Sequence, residues 1–148
     1  MINEFDKDFA FLSNFYPSPF EEFGILFPTV EHYFQAMKAI HFDDMVMIAK
    51  TTTPGKAKYM GRHINMRSDW EEIKVDVMRH ALERKFENPE LRAKLLSTGE
   101  TPLVEGNWWH DNFYGDCQCP KCQTILGHNV LGKMLMDLRE RIRFQLNN

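Results

Sequence analysis

The chain has 148 residues, 43% of them hydrophobic and 26% charged, with a formal net charge of −3 at pH 7. That length and balance suit one compact globular domain over residues 1–148 and exclude a disordered chain. A negative net charge also argues against nonspecific nucleic-acid binding through a global basic field, and no apolar run reaches the ~20 residues of a membrane span.

The first residues, MINEFDKDFAFLSNF, are acidic where a secretory signal would be basic. A cytoplasmic protein with no membrane partner is therefore expected. The aromatic stretch DFAFLSNFYPSPFEEFGILFPT places Gly24 between two short extended pieces, Pro19–Phe23 and Ile25–Phe27. Thr29 then caps a helix with Glu31 in its first turn, where a carboxylate is favoured by exposed amides. Val30, Tyr33, Phe34, Met37 and Ile40 form its apolar stripe, and Glu31, Gln35 and Lys38 lie together beside that stripe.

A short helix over Asp43–Lys50 is followed by another that opens at Pro54 and ends near Gly61. Ser68 and Glu71 have the spacing of a capping box for a long helix that buries Trp70, Ile73, Val77 and Ala81. Pro89 restarts the helix after a break and Gly99 ends it. An apolar piece, Pro102–Val104, leads into the loop EGNWWHDNFYGDCQCPKCQTILGH. Asn129 then caps a terminal helix whose Leu131, Leu135, Leu138, Ile142 and Leu146 face the core. The sum is a mainly α fold, a single compact helical domain with a minor short β element.

Several groupings carry chemistry. Glu31, Gln35 and Lys38 suit sugar chemistry if they face a cleft: a carboxylate for acid–base work and an amine for attack or charge neutralisation. Their spacing alone favours a solvated face, as most charged helix faces are solvated. From Glu105 to Asp116 the loop mixes tryptophans, a histidine, aspartates and a tyrosine, as a site for a base or sugar ring requires; the same pattern fits a surface loop with its aromatics turned into the core. Cys117, Cys119 and Cys122 fall within six residues, which is not the disulfide framework of a secreted domain. Their CxxC half has a zinc-ligand spacing, with His110 or His128 as the fourth ligand of a structural zinc, against three free thiols. Lys50, Lys56, Lys58, Arg62 and Arg67 crowd one segment, TTTPGKAKYMGRH at its centre, where Lys56, Lys58 or Arg62 suits a phosphate; the order is not that of a Walker loop. His32, His63 and His80 match no ligand spacing and are expected to be ordinary.

In order along the chain, FLSNFYPSPF (with Asn14), FPTVEHYFQAMKA, KAKYMGR, DWEEIKVDVMRHALERKF, LVE, the DxxYG of Asp111–Gly115 and GHNVLGKMLMDLRER resemble the NADAR, or YbiA-like, family. The resemblance runs from about Phe11 to Arg141, and the EHYFQA…K and NxLGxxLMxxR blocks are its most specific parts. It implies a mainly α-helical fold and an N-glycosidase. The implied substrates are phosphoribosylamino-pyrimidine intermediates of riboflavin synthesis or, as the alternative, ADP-ribose attached to guanine bases of nucleic acid. A third alternative is a non-catalytic module that binds ADP-ribose or nucleic acid. By motif position it makes Glu31, Trp70 and Asp111 the key residues. Lys38 joins Glu31 and Asp111 as catalytic candidates, with Asn14, Gln35, Arg62, Glu105, Tyr114 and Asn129 binding substrate. No cofactor is required for that chemistry. Two departures bear on substrate choice: Tyr114 stands where the family usually has tryptophan, and the cysteines replace a glycine-rich stretch.

Overall fold

The computed structural model describes residues 1–148. Six α-helices and two two-stranded sheets make up its regular structure, with short 3-10 turns at Lys7–Leu12 and Pro120–Cys122. The mainly helical expectation therefore holds. Contacts within the chain gather into two compact units, Asn14–Asn88 and Met1–Ser13 with Pro89–Asn148.

In the unit Asn14–Asn88, β1 (Phe20–Glu22) and β2 (Ile25–Phe27) form an antiparallel hairpin that pairs Phe20 with Phe27. Its turn residues Phe23 and Gly24 both have positive φ, 57° and 73°, the conformation that matches strand twist in tight hairpins. This takes Phe23 out of the expected strand. Tyr33 from α1 (Val30–Ala36) packs edge-on to Phe27 at 5.1 Å between centroids, anchoring the helix on the hairpin. Thr29 caps α1 as expected, its Oγ1 accepting from His32 N–H. His32 is itself buried between Thr29 and the Thr51 carbonyl.

The helix α1 is shorter than its apolar stripe suggests. It ends at Ala36, and the chain beyond pairs with residues 65–67: Ile40 N–H donates to Asn65 O, Arg67 N–H to Lys38 O, and Ala39 bridges Met66. Ile40 is consequently 59% exposed rather than part of the core stripe, and Lys38 lies in the turn after α1. Next come α2 (Phe42–Ala49), α3 (Pro54–Gly61) and α4 (Trp70–Lys85). Pro54 opens α3, with Thr53 capping it. The expected capping box does not form on α4. Asp69 is the N-cap, and its carboxylate is taken by Arg67 at 2.6 Å instead of an amide. Trp70, Met78, Ala81 and Leu82 are buried along α4, whereas Ile73 and Val77 are only half-buried.

In the other unit, the 3-10 turn Lys7–Leu12 packs on α5 (Pro89–Ser97), with Lys94 Nζ 5.9 Å from the Phe11 ring. Ile2 bridges Leu103, exchanging hydrogen bonds with Pro102 O and Val104 N–H. The short β3 (Gly106–Asn107) and β4 (Asp116–Cys117) pair in parallel. The long α6 (Val130–Leu146) buries Leu131, Leu135, Leu138 and Ile142, while Leu146 is exposed in its last turn, contrary to its place in the periodicity. Arg139 is buried on α6 and donates to the Thr98 hydroxyl and the Thr101 carbonyl, bracing the turn that follows α5. No helix is long and apolar enough to cross a membrane.

Two stability predictions follow from this packing. Gly132 lies against the Leu103 carbonyl, where an added Cβ would overlap backbone that cannot move aside. Gly132→Ala should therefore cost about 1–3 kcal/mol, read as a lower denaturant midpoint. Lys85 is 1% exposed, and burial lowers its pKa to about 7. Because the folded value lies below the unfolded one, of about 10.4, the unfolded chain binds the extra proton between those limits. Stability should then rise with pH from about 7 towards 10, and below about 7 the full cost of charging the amine is present. A Lys85→Met variant should show a flatter pH profile over that window in thermal melts.

Candidate active-site residues and a cysteine–histidine cluster

Glu31 occupies the first turn of α1 and is 7% exposed. Its amide donates to Asn14 O at 3.1 Å, and its Oε1 accepts from Gln35 Nε2 at 2.6 Å. Gln35 is buried one turn further on, with no protein donor at its Oε1. The amide of Gln35 fits because Gly61, at the end of α3, has no side chain in its way. Glu31 and Gln35 are therefore not members of a solvated face.

Lys38 is half-buried, its Nζ 5.8 Å from both the Phe34 and the Trp70 ring centroids. Those rings meet edge to face at 4.9 Å. Loss of water is the main cause that lowers the Lys38 pKa below its ordinary value; Arg62 and Lys58 push in the same direction, and Glu31 and Glu71 oppose them. The structure thus brings Asn14, Glu31, Gln35, Lys38, Arg62 and Trp70 into one electrostatically connected neighbourhood. Trp70 is only 4% exposed, so its ring backs the amine. An open pocket of about 380 Å³ between α2 and α3, with Asp44, Tyr59 and His63 in its wall, includes none of these six.

The second unit holds the remaining candidates. Asn129 has φ 50°, and its side chain does not cap α6. Instead its Oδ1 accepts from Glu105 N–H at 3.0 Å and its Nδ2 donates to Leu103 O at 2.9 Å, bracing the segment that carries Glu105. Asp111 Oδ1 accepts from the amides of Phe113 and Tyr114 at 3.1 and 3.0 Å, a turn that leaves Oδ2 open. Tyr114 is half-buried, its ring edge-on to Phe113 at 4.8 Å. Fully buried Asn107, which the sequence reading passed over, holds Asp111 from behind: its Oδ1 accepts from the amides of Trp109 and Asp111, and its Nδ2 donates to Asp111 O. Its only sequence signal was the general taste of asparagine for turns. Trp108 and Trp109 are 60% and 58% exposed, so these loop aromatics are not core residues.

Cys117 in β4 and Cys119 and Cys122 around the second 3-10 turn are free and buried. His110 Nδ1 lies 3.9, 3.3 and 3.3 Å from their respective sulfurs. All four ligand atoms fall within 4.8 Å of one another, an arrangement able to hold a metal ion. His128, the other histidine open at the sequence level, packs near the Phe113 ring instead.

The chain is similar to the N-glycosidase YbiA of Escherichia coli strain K12, with 40% identity over 141 residues, 93% of this chain and 84% of that protein. An N-glycosidase of Nostoc punctiforme is 38% identical over 143 residues, 93% of this chain and 88% of the relative. A riboflavin biosynthesis protein of Vibrio vulnificus is 36% identical over 144 residues, 93% of this chain but 37% of that longer protein. The NMR structure of the E. coli protein YbiA superimposes with a TM-score of 0.82 at 36% identity, covering 100% of this chain and 90% of that one. A NADAR domain model matches residues 2–143, and on that span together with these likenesses the chain belongs to the NADAR family.

Proposed function

We propose that the chain is an N-glycosidase that hydrolyses the bond between ribose C1′ and nitrogen in a phosphoribosylamino-pyrimidine intermediate of riboflavin synthesis. The N-glycosidase and riboflavin names of its relatives support the reaction and the substrate class. The observation that carries the reading is the half-buried amine of Lys38, held over Phe34 and Trp70 within the field of buried Glu31.

Breaking the C1′–N bond draws positive charge onto the sugar, so a carboxylate placed beforehand stabilises the transition state more than the ground state. A ribosylamine offers a further route. Its ring oxygen leaves C1′ and takes up a proton, giving a C1′=N iminium. Neutral Lys38 Nζ adds to C1′, a proton passes by way of Glu31 to the substrate nitrogen, and the aminopyrimidine departs, leaving a Schiff base on Lys38. Water then adds to C1′, the lysine leaves, and the sugar closes again as free ribose phosphate.

Lowering the pKa of Lys38 raises the fraction of neutral amine at a given pH, which is the form that attacks. Trp70 is a positioning residue in this scheme, excluding water from the amine. Gln35 orients Glu31, with Asn14 beside it. Arg62, with Lys56 and Lys58, supplies the phosphate contacts. Asp111 is the second required carboxylate, with Glu105, Tyr114 and Asn129 assigned to substrate. Side chains alone supply this chemistry, and an ion at the cysteine cluster would be structural zinc. Cytoplasmic residence suits the three free thiols.

The exposed Trp108 and Trp109 favour a second reading, removal of ADP-ribose from guanine in nucleic acid, because solvent-facing aromatics stack on unpaired bases. Incubating the protein with each ribosylated substrate and following free base by chromatography separates the two. Release from the small phosphoribosylamine only is expected. Release from modified guanine only would replace the first reading by the second, and release from neither would leave a binding module.

Glu31→Gln should lower kcat by about 100-fold or more with the fold intact by circular dichroism. Glu31 raises the Lys38 pKa, so the same variant should move the acid limb of kcat/KM to lower pH. Borohydride added during turnover should leave the mass of the reduced sugar on the peptide containing Lys38 and none in Lys38→Arg. Full activity with no such adduct would eliminate the covalent route.

A further inference from the structure

We propose that Cys117, Cys119, Cys122 and His110 bind a zinc ion, and that this ion fixes the loop on which Asp111 sits. The histidine-to-sulfur distances match a metal-bound set. With zinc–sulfur and zinc–nitrogen bonds of about 2.3 and 2.05 Å, a regular tetrahedron separates sulfur from nitrogen by about 3.6 Å. His110 Nδ1 lies at 3.3, 3.3 and 3.9 Å from the three sulfurs. Three thiolates and one imidazole fill four positions and leave none for water or substrate, the composition of a structural site. Hard cations such as magnesium or calcium would require oxygen ligands that the cluster lacks.

The surroundings are built as an outer shell. Cys119 and Cys122 close a tight turn through Cys122 N–H to Cys119 O. Asn112 Nδ2 points at Cys122 Sγ from 3.5 Å, and Asn112 Oδ1 accepts the Cys117 amide at 2.9 Å, which orients two of the ligands. His110 itself is exposed, with a backbone φ of 68° that side chains other than glycine's disfavour, yet its ring nitrogen turns inward to the buried sulfurs. A bond from Nδ1 to metal accounts for that conformation.

The residues on both sides of Asp111 therefore reach into the cluster: His110 as ligand, Asn112 as its support. The backbone of Asp111 is held by Asn107, which pairs in β3 with Cys117 of β4. Zinc would tie all of these together, and its loss would release the segment as a unit. The functional half of this inference rests on Asp111 belonging to the reaction proposed above.

The test uses the wild-type chain. Elemental analysis and native mass spectrometry should find one zinc per chain, and cobalt substitution should give the intense visible bands of a tetrahedral thiolate site. Hydrogen exchange should show residues 108–126 losing protection when a chelator strips the metal and regaining it on reloading with zinc, while α4 and α5 stay unchanged. Cys119→Ser should bind zinc more weakly and show the same local loss. No retained metal, a different metal, a disulfide in its place, or unchanged loop protection in the stripped protein would each overturn the proposal. A protein that binds zinc and orders the loop, yet releases base from no ribosyl substrate, would overturn the N-glycosidase reading and leave the zinc clamp standing.

Discussion

The stop of α1 after Ala36 is the constraint on which the proposed chemistry depends. Had the helix continued through Ile40, Lys38 would project from its side at the same height as its neighbours. Instead the chain turns to pair with residues 65–67, just ahead of α4, and the Lys38 stem lies over Phe34 and Trp70. Loss of water on burial outweighs the opposing pull of Glu31, so the amine gives up its proton more readily than an ordinary lysine. Without the carboxylate nearby the shift would be larger. In the proposed reaction the glutamate therefore trades some nucleophilicity of the amine for a nearby acid–base group.

The two carboxylates are placed by different physics. Glu31 is set by helix geometry: a capped first turn, an amide one turn away and a glycine that lets that amide lie flat. Asp111 sits in a loop with little apolar anchorage, where exposed tryptophans stabilise nothing by burial. Its position comes from hydrogen bonds, two to its own Oδ1 and the bracket made by Asn107. Backbone bonds from residues 128–131 hold the chain just after it, and the cysteine–histidine cluster lies on both sides of it.

Much of the fold was legible because its signals are local. Thr29 caps α1, Pro54 starts α3, and Gly99, at φ 64°, stops α5. The failures have several causes, competing partners among them. Asn129 has the right chemistry for a cap, but Leu103 and Glu105 claim its side chain. Ser68 and Glu71 have the spacing of a box, but Arg67 holds Asp69 and shifts the helix start. Ile40 and Leu146 continue a periodicity past the surface that could bury it. For the candidate site, spacing alone favoured a solvated face for Glu31, Gln35 and Lys38. Burial of the first two rules that face out, and only the resemblance to NADAR proteins pointed that way beforehand. The choice of His110 over His128 required a backbone reversal that no composition rule predicts.

Both departures from the usual family pattern, Tyr114 and the cysteines, fall in the loop that carries Asp111, while the lysine–glutamate neighbourhood keeps its motif residues. A loop whose shape depended on core packing could accept few such changes without displacing its carboxylate, since each buried side chain would have to be refitted. Coordination, as proposed, would remove that coupling. Four ligand atoms and the Asn107 bracket would then set the path of the backbone, and the side chains facing outward, Trp108 and Trp109 among them, would be free to differ. If the proposed zinc is bound and Asp111 is the proposed acid, the cluster would do more than substitute for a glycine-rich turn: it would separate the outward-facing side chains from the scaffold that holds the carboxylate.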